Sequence, residues 1–450
     1  ALFKGNQLPK DLYIIGFSRR DLTDEKFHEY FKLQTGDDKW VDFAKHLIFT
    51  SASFEEKVGY ERLNQKLLAI DEQIGACTTR FFYLATPPDH YETILDKLVE
   101  TKLSEGCGHE KGNWTRLIIE KPFGKDLLSA RTLDKRLSEI FDEKQIFRVD
   151  HYLAKETVQN MIAFRFANGV FEPIWNKDYI EHVQITYAET QGIKGREEFF
   201  EGVGMLRDVA QNHLLQLLGA VAMEMPRSFT KEGLRDARAN VVKAIRKIEP
   251  SEVSKYVVRG QHSGHKKEEH VSKDSQTETF VALKLFVDTP RFQNVPFYLR
   301  AGKKMARNVV EISVVFIQTC EILFREYSCP EVGNVLTIRI QPDEGITLRM
   351  IAKKPGHKLD LGTVNMKFSY KEHYGGRGLE AYEKILIDIF AGDQILFNRS
   401  DELESSWELI TNILRGWEKG APLYTYKKGT WGPKEASELI EKDGKHWLVN

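Results

Sequence analysis

One segment of the sequence carries several groups that could bind a phosphate: residues 148–156 read RVDHYLAKE. If a helix begins near Asp150, His151 and Lys155 lie four residues apart on one helix face, close to an N-terminus that itself favours an anion. This spacing suits a phosphate group. It leaves a second interpretation open, in which Asp150 is only an N-cap and Lys155 and Glu156 are solvated.

A second segment could supply a base. At helical spacing His213 falls in the apolar stripe of Leu206, Ala210 and Leu217, so its ring should point inward. A buried histidine can equally be a satisfied core residue, and that alternative stays open. Asp208 lies five residues from His213, on a different face of an α-helix. A carboxylate that orients His213 should therefore come from another segment.

Two basic residues follow apolar strands. Lys121 comes directly after the strand Thr115–Ile119 and Glu120, and ligands of open α/β sheets bind outside the carboxyl ends of strands. Arg19 directly follows Ile14-Ile15-Gly16-Phe17-Ser18, where an arginine can pair with the 2′-phosphate of NADP and an acidic residue would favour NAD. Taken singly, each could be an ordinary charged residue in a turn.

The elements that must position these candidates fall into two groups. From Leu12 to Ile119, short apolar strands alternate with amphipathic helices, a pattern that predicts a doubly wound, Rossmann-like parallel sheet. We assign residues 1–150 to this dinucleotide-binding domain. The polar, glycine-rich segment Ser104–Trp114 follows a helix and precedes a strand, which is the wrong order for a phosphate loop, so we interpret it as a plain loop.

Long alternating runs follow after about residue 180, as in Val309–Ile317, without helices between them. They predict a large antiparallel sheet. Helices near Leu206–Ala222, Leu379–Phe390 and Asp401–Trp417 should cover one face of it. The fold class is therefore α/β plus α+β, and residues 151–450 form the domain for substrate binding and oligomerisation.

The most polar stretch, Gln261–Asp274, contains three histidines, His262, His265 and His270, which invite a metal interpretation. The stretch has almost no apolar residues to hold such ligands in place, so we favour a solvated loop. No metal site is predicted.

Composition excludes several classes of protein. The chain has 65 basic and 66 acidic residues and a net charge of −1, so the summed charge does not attract a polyanion, although local basic pockets remain open. We therefore predict no nucleic-acid partner. No apolar run approaches the roughly 18 residues of a membrane span, so we predict no membrane partner. Four widely spaced cysteines without a CxxC pair suggest neither a disulfide framework nor a thiolate zinc site. A reducing compartment, the cytoplasm, fits best.

Taken together, the motifs resemble the glucose-6-phosphate dehydrogenase family. The matching segments are Glu120-Lys121-Pro122-Phe123-Gly124, Asp150-His151-Tyr152-Leu153, Arg207-Asp208-Val209 with Gln211-Asn212-His213-Leu214, and Leu299-Arg300-Ala301-Gly302-Lys303. Further matches run through Arg339-Ile340-Gln341-Pro342 to Arg399-Ser400-Asp401-Glu402, so the resemblance covers essentially the whole chain. The Asp-His-Tyr-Leu motif is highly specific, whereas Glu-Lys-Pro alone also occurs in other sugar oxidoreductases.

The resemblance implies oxidation of glucose 6-phosphate at C1 to 6-phosphogluconolactone with NADP, the first step of the oxidative pentose phosphate pathway, in a homodimer or homotetramer. It makes His213 the base and Asp150 its partner. The implied phosphate ligands are His151, Tyr152 and Lys155, and the implied sugar contacts are Lys121, Glu189, Asp208, Lys303 and Gln341. Arg19 would meet the 2′-phosphate of NADP, and Tyr83 and Lys121 would line its nicotinamide end.

Three features depart from the family pattern. The family's first strand and its glycine-rich turn are not among these 450 residues, so we expect neighbouring strands with unpaired edges and a shortened version of the natural sequence. Ala154 replaces a usual glycine, which a helix should tolerate. The basic residue expected five positions after Lys303 is Asn308, with Arg307 one position early, so the resemblance carries no second sugar contact there. The short tail after Trp431 implies no second, structural NADP site.

Two other functions remain as alternatives. One is another sugar dehydrogenase with a Glu-Lys-Pro motif, and the other is a non-catalytic protein that binds NADP or a sugar phosphate. Turnover of glucose 6-phosphate against free glucose distinguishes them.

Overall fold

The computed structural model describes residues 2–35, 39–106, 115–375 and 378–450. The chain divides into two compact units. The first unit consists of Ala1–Gly124, Leu128–Val149 and Tyr382–Ser400. The second unit consists of Lys125–Leu127, Asp150–Ala381 and Asp401–Asn450. The division at residue 150 that the sequence predicts places Tyr382–Ser400 in the second domain, whereas the structure places it in the first unit.

The elements are numbered in chain order. The strands are β1 (Ile14–Ser18), β2 (Leu47–Ser51), β3 (Arg80–Leu84), β4 (Thr115–Glu120), β5 (Ile146–Val149), β6 (Ile180–Ala188), β7 (Val257–His262), β8 (Phe280–Phe286), β9 (Pro296–Gly302), β10 (Val309–Phe316), β11 (Val335–Gln341), β12 (Gly345–Lys353), β13 (Leu361–Ser369), β14 (Phe397–Asn398) and β15 (Leu423–Tyr426). The helices are α1 (Asp24–Thr35), α2 (Trp40–Ala44), α3 (Lys57–Ile74), α4 (Tyr91–Glu100), α5 (Leu127–Ile140), α6 (Glu156–Phe166), α7 (Glu197–Glu201), α8 (Leu215–Ala222), α9 (Lys231–Lys243), α10 (Val253–Tyr256), α11 (Cys320–Phe324), α12 (Tyr370–Tyr374), α13 (Ala381–Ala391), α14 (Ser400–Glu418) and α15 (Lys434–Glu441). A π-helix, Leu206–Leu214, directly precedes α8.

Parallel strands separated by helices make up the first unit, as the alternation of the sequence predicts. β1 pairs with β2, and β3, β4 and β5 form a second parallel group to which β14 adds an antiparallel edge. The apolar side chains of β4 are buried, as expected for a strand covered by helices. The part of segment 104–114 from Cys107 onward, where we predicted a loop, lies outside the described residues.

The sheet of the first unit is split between β1 and β3. Among the described residues, β1 pairs only with β2, and β3 pairs only with β4. A cavity of about 1100 Å³ opens beside both strands, and its lining includes Ile15, Phe17, Phe81 and Tyr83. The unpaired strand edges that the sequence predicts are therefore confirmed for the described part of this unit.

Nine strands form one large sheet in the second unit. Their order is β13-β12-β11-β10-β6-β9-β8-β7-β15, and every pair is antiparallel except β6 with β9 and β7 with β15. All eight residues of β10 are buried, whereas five consecutive residues of β13 are exposed. The sheet therefore has a buried centre and an open edge, and the predicted antiparallel sheet is confirmed.

Three helical segments of the second unit pack together. The π-helix is linked to α14 because Gln211 donates to the Ser406 hydroxyl at 2.9 Å, and α9 is linked to α14 by the buried Arg238–Glu402 pair at 3.0 Å. The predicted third covering helix, α13, lies instead in the first unit apart from Ala381. There Arg116 of β4 donates to the Phe390 carbonyl at 3.1 Å, so that part of the prediction is wrong.

Two further predictions are wrong, one about the cysteines and one about the histidine-rich segment. Cys320 and Cys329 form a disulfide, because the chain after α11 folds back and brings their Cα atoms to 5.9 Å. His262 and His265 are not solvated, since both are at most 1% exposed. Sequence spacing shows neither feature, because both depend on the path of a loop. Among the described residues, no helix is long and apolar enough to span a bilayer.

Candidate active site

A buried histidine–carboxylate pair lies at the centre of the candidate site. His213 Nδ1 is 2.7 Å from Asp150 Oδ1, and the two residues are 2% and 1% exposed. Asp150 directly follows β5, so the carboxylate comes from another segment, as predicted. A proton on Nδ1 that is donated to Asp150 leaves the lone pair on Nε2, which is the arrangement of a general base.

The helix that carries His213 is a π-helix at this point, not the α-helix we predicted. The Asn212 side chain donates to the Arg207 carbonyl at 3.1 Å and accepts from the His213 N–H at 2.6 Å, so it satisfies backbone groups that an α-helix would pair. In a π-helix, five residues span one hydrogen-bonded turn. The argument from α-helical spacing therefore does not apply here, but its conclusion is confirmed, because the carboxylate beside His213 comes from another segment, at Asp150.

The start of this π-helix is fixed by a buried carboxyl group. Glu278 accepts the Leu206 N–H at 2.9 Å through its side chain, and its own carbonyl accepts from Met205 at 3.1 Å. Burial raises the pKa of Glu278 to about 7. No sequence pattern indicates this residue, because Glu278 precedes β8 without any recognisable spacing to the helix.

Aromatic rings pack around His213. The Tyr152 ring centroid is 4.2 Å from that of His213, the His151 centroid is 4.9 Å away, and Tyr187 stacks at 6.2 Å. Burial raises the pKa of Tyr152 and of Tyr187, so both hydroxyls stay protonated and can donate. Hydrogen bonds with Tyr187 and Gln341 partly offset the effect of burial on the pKa of Tyr152, so the structure brings Gln341 to this cluster.

Two of the predicted phosphate ligands, His151 and Tyr152, belong to this ring cluster, and the three predicted ligands do not lie on one helix. Residues 151–154 form turns in which the Tyr152 N–H donates to Asp150 Oδ1 at 3.1 Å, and α6 begins only at Glu156. The prediction of a helix from Asp150 is therefore wrong. Lys155 is the N-cap residue of α6 and makes no side-chain capping hydrogen bond, so the N-terminus of α6 is suited to an anion.

The predicted sugar contacts Lys303 and Glu189 form an ion pair at 2.5 Å, just after β9 and β6. Tyr187, which the sequence analysis missed, donates to Glu189 at 3.4 Å and so connects this pair to the ring cluster. Strand alternation could have identified Tyr187, because residues 187 and 189 point to the same side of an extended chain. Asp208 is buried and lies 3.8 Å from Arg196.

Arg307 and Asn308, which follow Lys303 closely in the chain, both have structural contacts. Asn308 accepts the Thr190 N–H at 2.7 Å, which fixes the loop after Glu189. Arg307 lies over the Trp431 ring, 5.6 Å from its centroid.

The predicted cofactor residues belong to the first unit. Tyr83 of β3 donates to the carboxylate of Glu120, the last residue of β4, and Tyr382 donates to the same oxygen at 3.1 Å. Lys121 is the next residue in the chain and is partly exposed. Arg19 directly follows β1 and is exposed, so its guanidinium can reach a ligand.

Metal binding is a second chemical possibility for the central residues. Donor atoms of Asp150, His151 and His213 lie within 4.8 Å of one another. The hydrogen bond between His213 Nδ1 and Asp150 Oδ1 favours proton transfer, because it prepares a base whose imidazolium form would be stabilised.

Comparison with known proteins agrees with this geometry. Residues 1–160 match the model of the NAD-binding domain of glucose-6-phosphate dehydrogenase, and residues 162–448 match that of its C-terminal domain. The glucose-6-phosphate 1-dehydrogenase of Chlamydia pneumoniae is 39% identical, over 99% of this chain and 91% of that protein. Glucose-6-phosphate 1-dehydrogenase 2 of Mycobacterium tuberculosis H37Rv is also 39% identical, over 98% and 88%.

Solved structures give the same result. A glucose-6-phosphate dehydrogenase in complex with its substrate, glucose 6-phosphate, superimposes with a TM-score of 0.90 at 33% identity, covering 99% of this chain and 93% of that one. The Mycobacterium avium enzyme gives a TM-score of 0.85 at 32% identity, covering 100% and 94%. The resemblance that the motifs indicated is confirmed, and this chain belongs to the glucose-6-phosphate dehydrogenase family.

Proposed function

We propose that this chain oxidises glucose 6-phosphate at C1 to 6-phosphogluconolactone, with NADP as hydride acceptor, in the oxidative pentose phosphate pathway. The observation that carries the proposal is the buried His213–Asp150 pair at 2.7 Å, packed against His151 and Tyr152. Family membership supports the same reaction and disfavours another sugar dehydrogenase with a Glu-Lys-Pro motif. A non-catalytic binding protein has no need of an oriented base.

His213 removes the proton from the anomeric hydroxyl in this mechanism. Asp150 holds the ring in the tautomer with Nε2 unprotonated and stabilises the imidazolium that forms. A positioned general base of this kind contributes roughly 10²–10⁴-fold to the rate. Because the pair is buried, solvent water does not compete for the proton.

The substrate is held by two groups of residues. His151, Tyr152 and Lys155, at the N-terminus of α6, bind the 6-phosphate. Glu189, Asp208, Lys303 and Gln341 contact the sugar hydroxyls, and Lys121 is assigned to the sugar by the family resemblance. The Lys303–Glu189 ion pair presents both a donor and an acceptor, which suits adjacent hydroxyl groups.

The first unit offers residues that fit NADP. Arg19 is exposed after β1, and residues 19 and 20 are both arginines with no carboxylate before Asp21, which suits the 2′-phosphate. Tyr83 and Lys121 line the nicotinamide end. When bound, NADP accepts the hydride from C1.

We propose that the chain acts as a homodimer or homotetramer in the cytoplasm, without nucleic-acid or membrane partners. The Cys320–Cys329 disulfide removes the cysteine argument for a reducing compartment, so the family resemblance alone supports this location. Exposed apolar side chains on the outer strands of the large sheet, Met350, Val364 and Met366, support an association through that sheet.

Turnover tests the proposed reaction directly. We expect NADPH formation with glucose 6-phosphate and far slower formation with glucose. His213→Asn should lower kcat by roughly 10²–10⁴-fold and leave sugar-phosphate binding nearly unchanged. Absence of turnover in the unsubstituted chain, with both ligands still bound, would favour the binding protein, and normal turnover of His213→Asn would remove His213 from the mechanism.

A further inference from the structure

A second cluster of histidines lies in the second unit, apart from the residues assigned to catalysis. His262 is the last residue of β7, His265 begins a short turn of 3₁₀-helix, and Glu268 follows that turn. His262 and His265 are 1% and 0% exposed, and the Glu268 side chain is 20% exposed. Donor atoms of the three residues lie within 4.8 Å of one another.

Several polar atoms of this cluster lack hydrogen bonds. Within the described part of the chain, both ring nitrogens of His262, Nδ1 of His265 and Oε2 of Glu268 are buried without a hydrogen-bond partner. Buried polar atoms are nearly always paired, since an unpaired one costs free energy. Four such atoms on three neighbouring residues indicate that a ligand belongs between them.

The tautomer of His265 leaves Nδ1 available for a metal ion. Its other nitrogen, Nε2, is 3.1 Å from Glu201 Oε1, so the ring proton lies on Nε2. Ser275 donates to the same carboxylate oxygen, and Thr277 donates to the Glu201 carbonyl at 2.8 Å. A histidine that donates its second N–H to a fixed carboxylate is the usual arrangement behind a metal-bound imidazole.

The distances suit a small divalent ion. His262 Nε2 is 3.4 Å from Glu268 Oε1, and His265 Nδ1 is 3.9 Å from Glu268 Oε2. Ligands about 2.0–2.2 Å from a tetrahedral zinc ion lie roughly 3.3–3.6 Å from one another. Small shifts of the side chains would therefore bring the three donor atoms to the distances of a tetrahedral zinc site.

Charged residues surround the cluster, since Lys428 and Lys304 both act on the His262 ring. Lys304 and Lys428 oppose a cation, whereas Glu268 and Glu201 attract it.

We propose that His262, His265 and Glu268 form a binding site for a divalent transition-metal ion of the zinc type. Two imidazoles and one carboxylate supply three ligands, and water takes the fourth position. The partial exposure of Glu268 provides the entry path. The ion ties the end of β7 to the turn at 265–268 and, through His265, to Glu201 of α7.

Cobalt(II) chloride and zinc(II) chloride are the probes for this site. The chain is stripped with a chelator and titrated with Co²⁺, whose visible absorption reports tetrahedral nitrogen and oxygen ligands, and Zn²⁺ should displace it. We expect one ion per chain at this site, measured by elemental analysis. His262→Gln and Glu268→Gln should each weaken binding at least tenfold, and Glu201→Gln should weaken it about 10–100-fold through the second hydrogen bond of His265.

His270→Gln is the matched control, because His270 lies in the same segment with 60% of its side chain exposed. It should bind Co²⁺ like the unsubstituted chain. The proposal is overturned if the unsubstituted chain gives no tetrahedral Co²⁺ spectrum at tenfold excess, a result that does not depend on the folding of any variant. It is also overturned if folded Glu268→Gln and Glu201→Gln, checked by circular dichroism, bind Co²⁺ unchanged. Glucose-6-phosphate turnover of the stripped chain is recorded separately, so failure of one proposal does not affect the other.

Discussion

At the scale of single residues, Lys155 has the most direct test. Because it lies at the uncapped N-terminus of α6, its charge and the helix dipole act on the same anion. We expect Lys155→Ala to raise KM for glucose 6-phosphate by at least tenfold and to change the slow use of free glucose very little. Steady-state kinetics with both sugars give the comparison. Equal losses on both would assign Lys155 a structural role.

Arg19 and its neighbour Arg20 form a natural pair of variants for cofactor choice. Both arginines are exposed after β1, but Arg20 lies over the Tyr30 ring, 5.5 Å from its centroid. Arg19→Ala should weaken NADP binding at least tenfold more than NAD binding, since only NADP carries the 2′-phosphate. Arg20→Ala is the control and should change the NADP-to-NAD ratio less. A preference for NAD in the unsubstituted chain would contradict the assignment.

At the scale of the elements, the buried Glu278 couples the π-helix to pH. Its pKa rises from an ordinary 4.5 to about 7 on folding. Between these pH values the folded chain holds a proton that the unfolded chain has released, so its stabilising contribution is complete below pH 4.5 and is lost as pH rises through 7. The loss amounts to about 3 kcal/mol in the free energy of unfolding.

Glu278→Gln removes this titration and keeps an oxygen for the Leu206 N–H. We expect the variant to gain stability relative to the unsubstituted chain between about pH 5.5 and about pH 8, by up to about 3 kcal/mol, in paired urea unfolding curves. Glu269→Gln, at an 86% exposed side chain, is the control and should show no such gain. A pH-independent difference for Glu278→Gln would show that the carboxyl group is not protonated in the folded chain.

The elements also show how far sequence reasoning reached. Period-two alternation predicted the large sheet, because the spacing of apolar residues in segments such as β10 does not match the 3.6-residue period of a helix. The same reasoning failed where one side chain changes the backbone. In the π-helix the Asn212 side chain pairs with backbone groups. Before α6, Asp150 pairs with His213 and accepts the Tyr152 N–H. Contacts of this kind depend on segments that the linear pattern does not bring together.

At the scale of the whole molecule, motifs identified the family and the partner of His213. Features that depend on the path of a loop could not be predicted from the sequence. The disulfide between Cys320 and Cys329 and the burial of His262 both arise where a loop returns to the fold. A polar composition predicts that such segments are exposed to solvent, because the composition does not show which other parts of the fold pack over them.

The outer strands of the large sheet give the last prediction. Met350 pairs directly with Val364, and Leu348 with Met366, so one face of the β12–β13 pair is apolar. Three of these side chains, Met350, Val364 and Met366, are 39–54% exposed. An apolar face at an open sheet edge is stabilised by contact with a second copy of the chain, because the contact removes the apolar side chains of both copies from water.

Met366→Lys should weaken this association, because the partner would have to bury an unpaired charge. We expect the dissociation constant of the dimer to rise at least tenfold, measured by light scattering after size exclusion over a range of concentrations. Asn365→Lys is the matched control, since strand alternation points residue 365 to the opposite face of β13. Equal dissociation of both variants, or a monomeric unsubstituted chain, would show that the apolar face of β12 and β13 is not the interface.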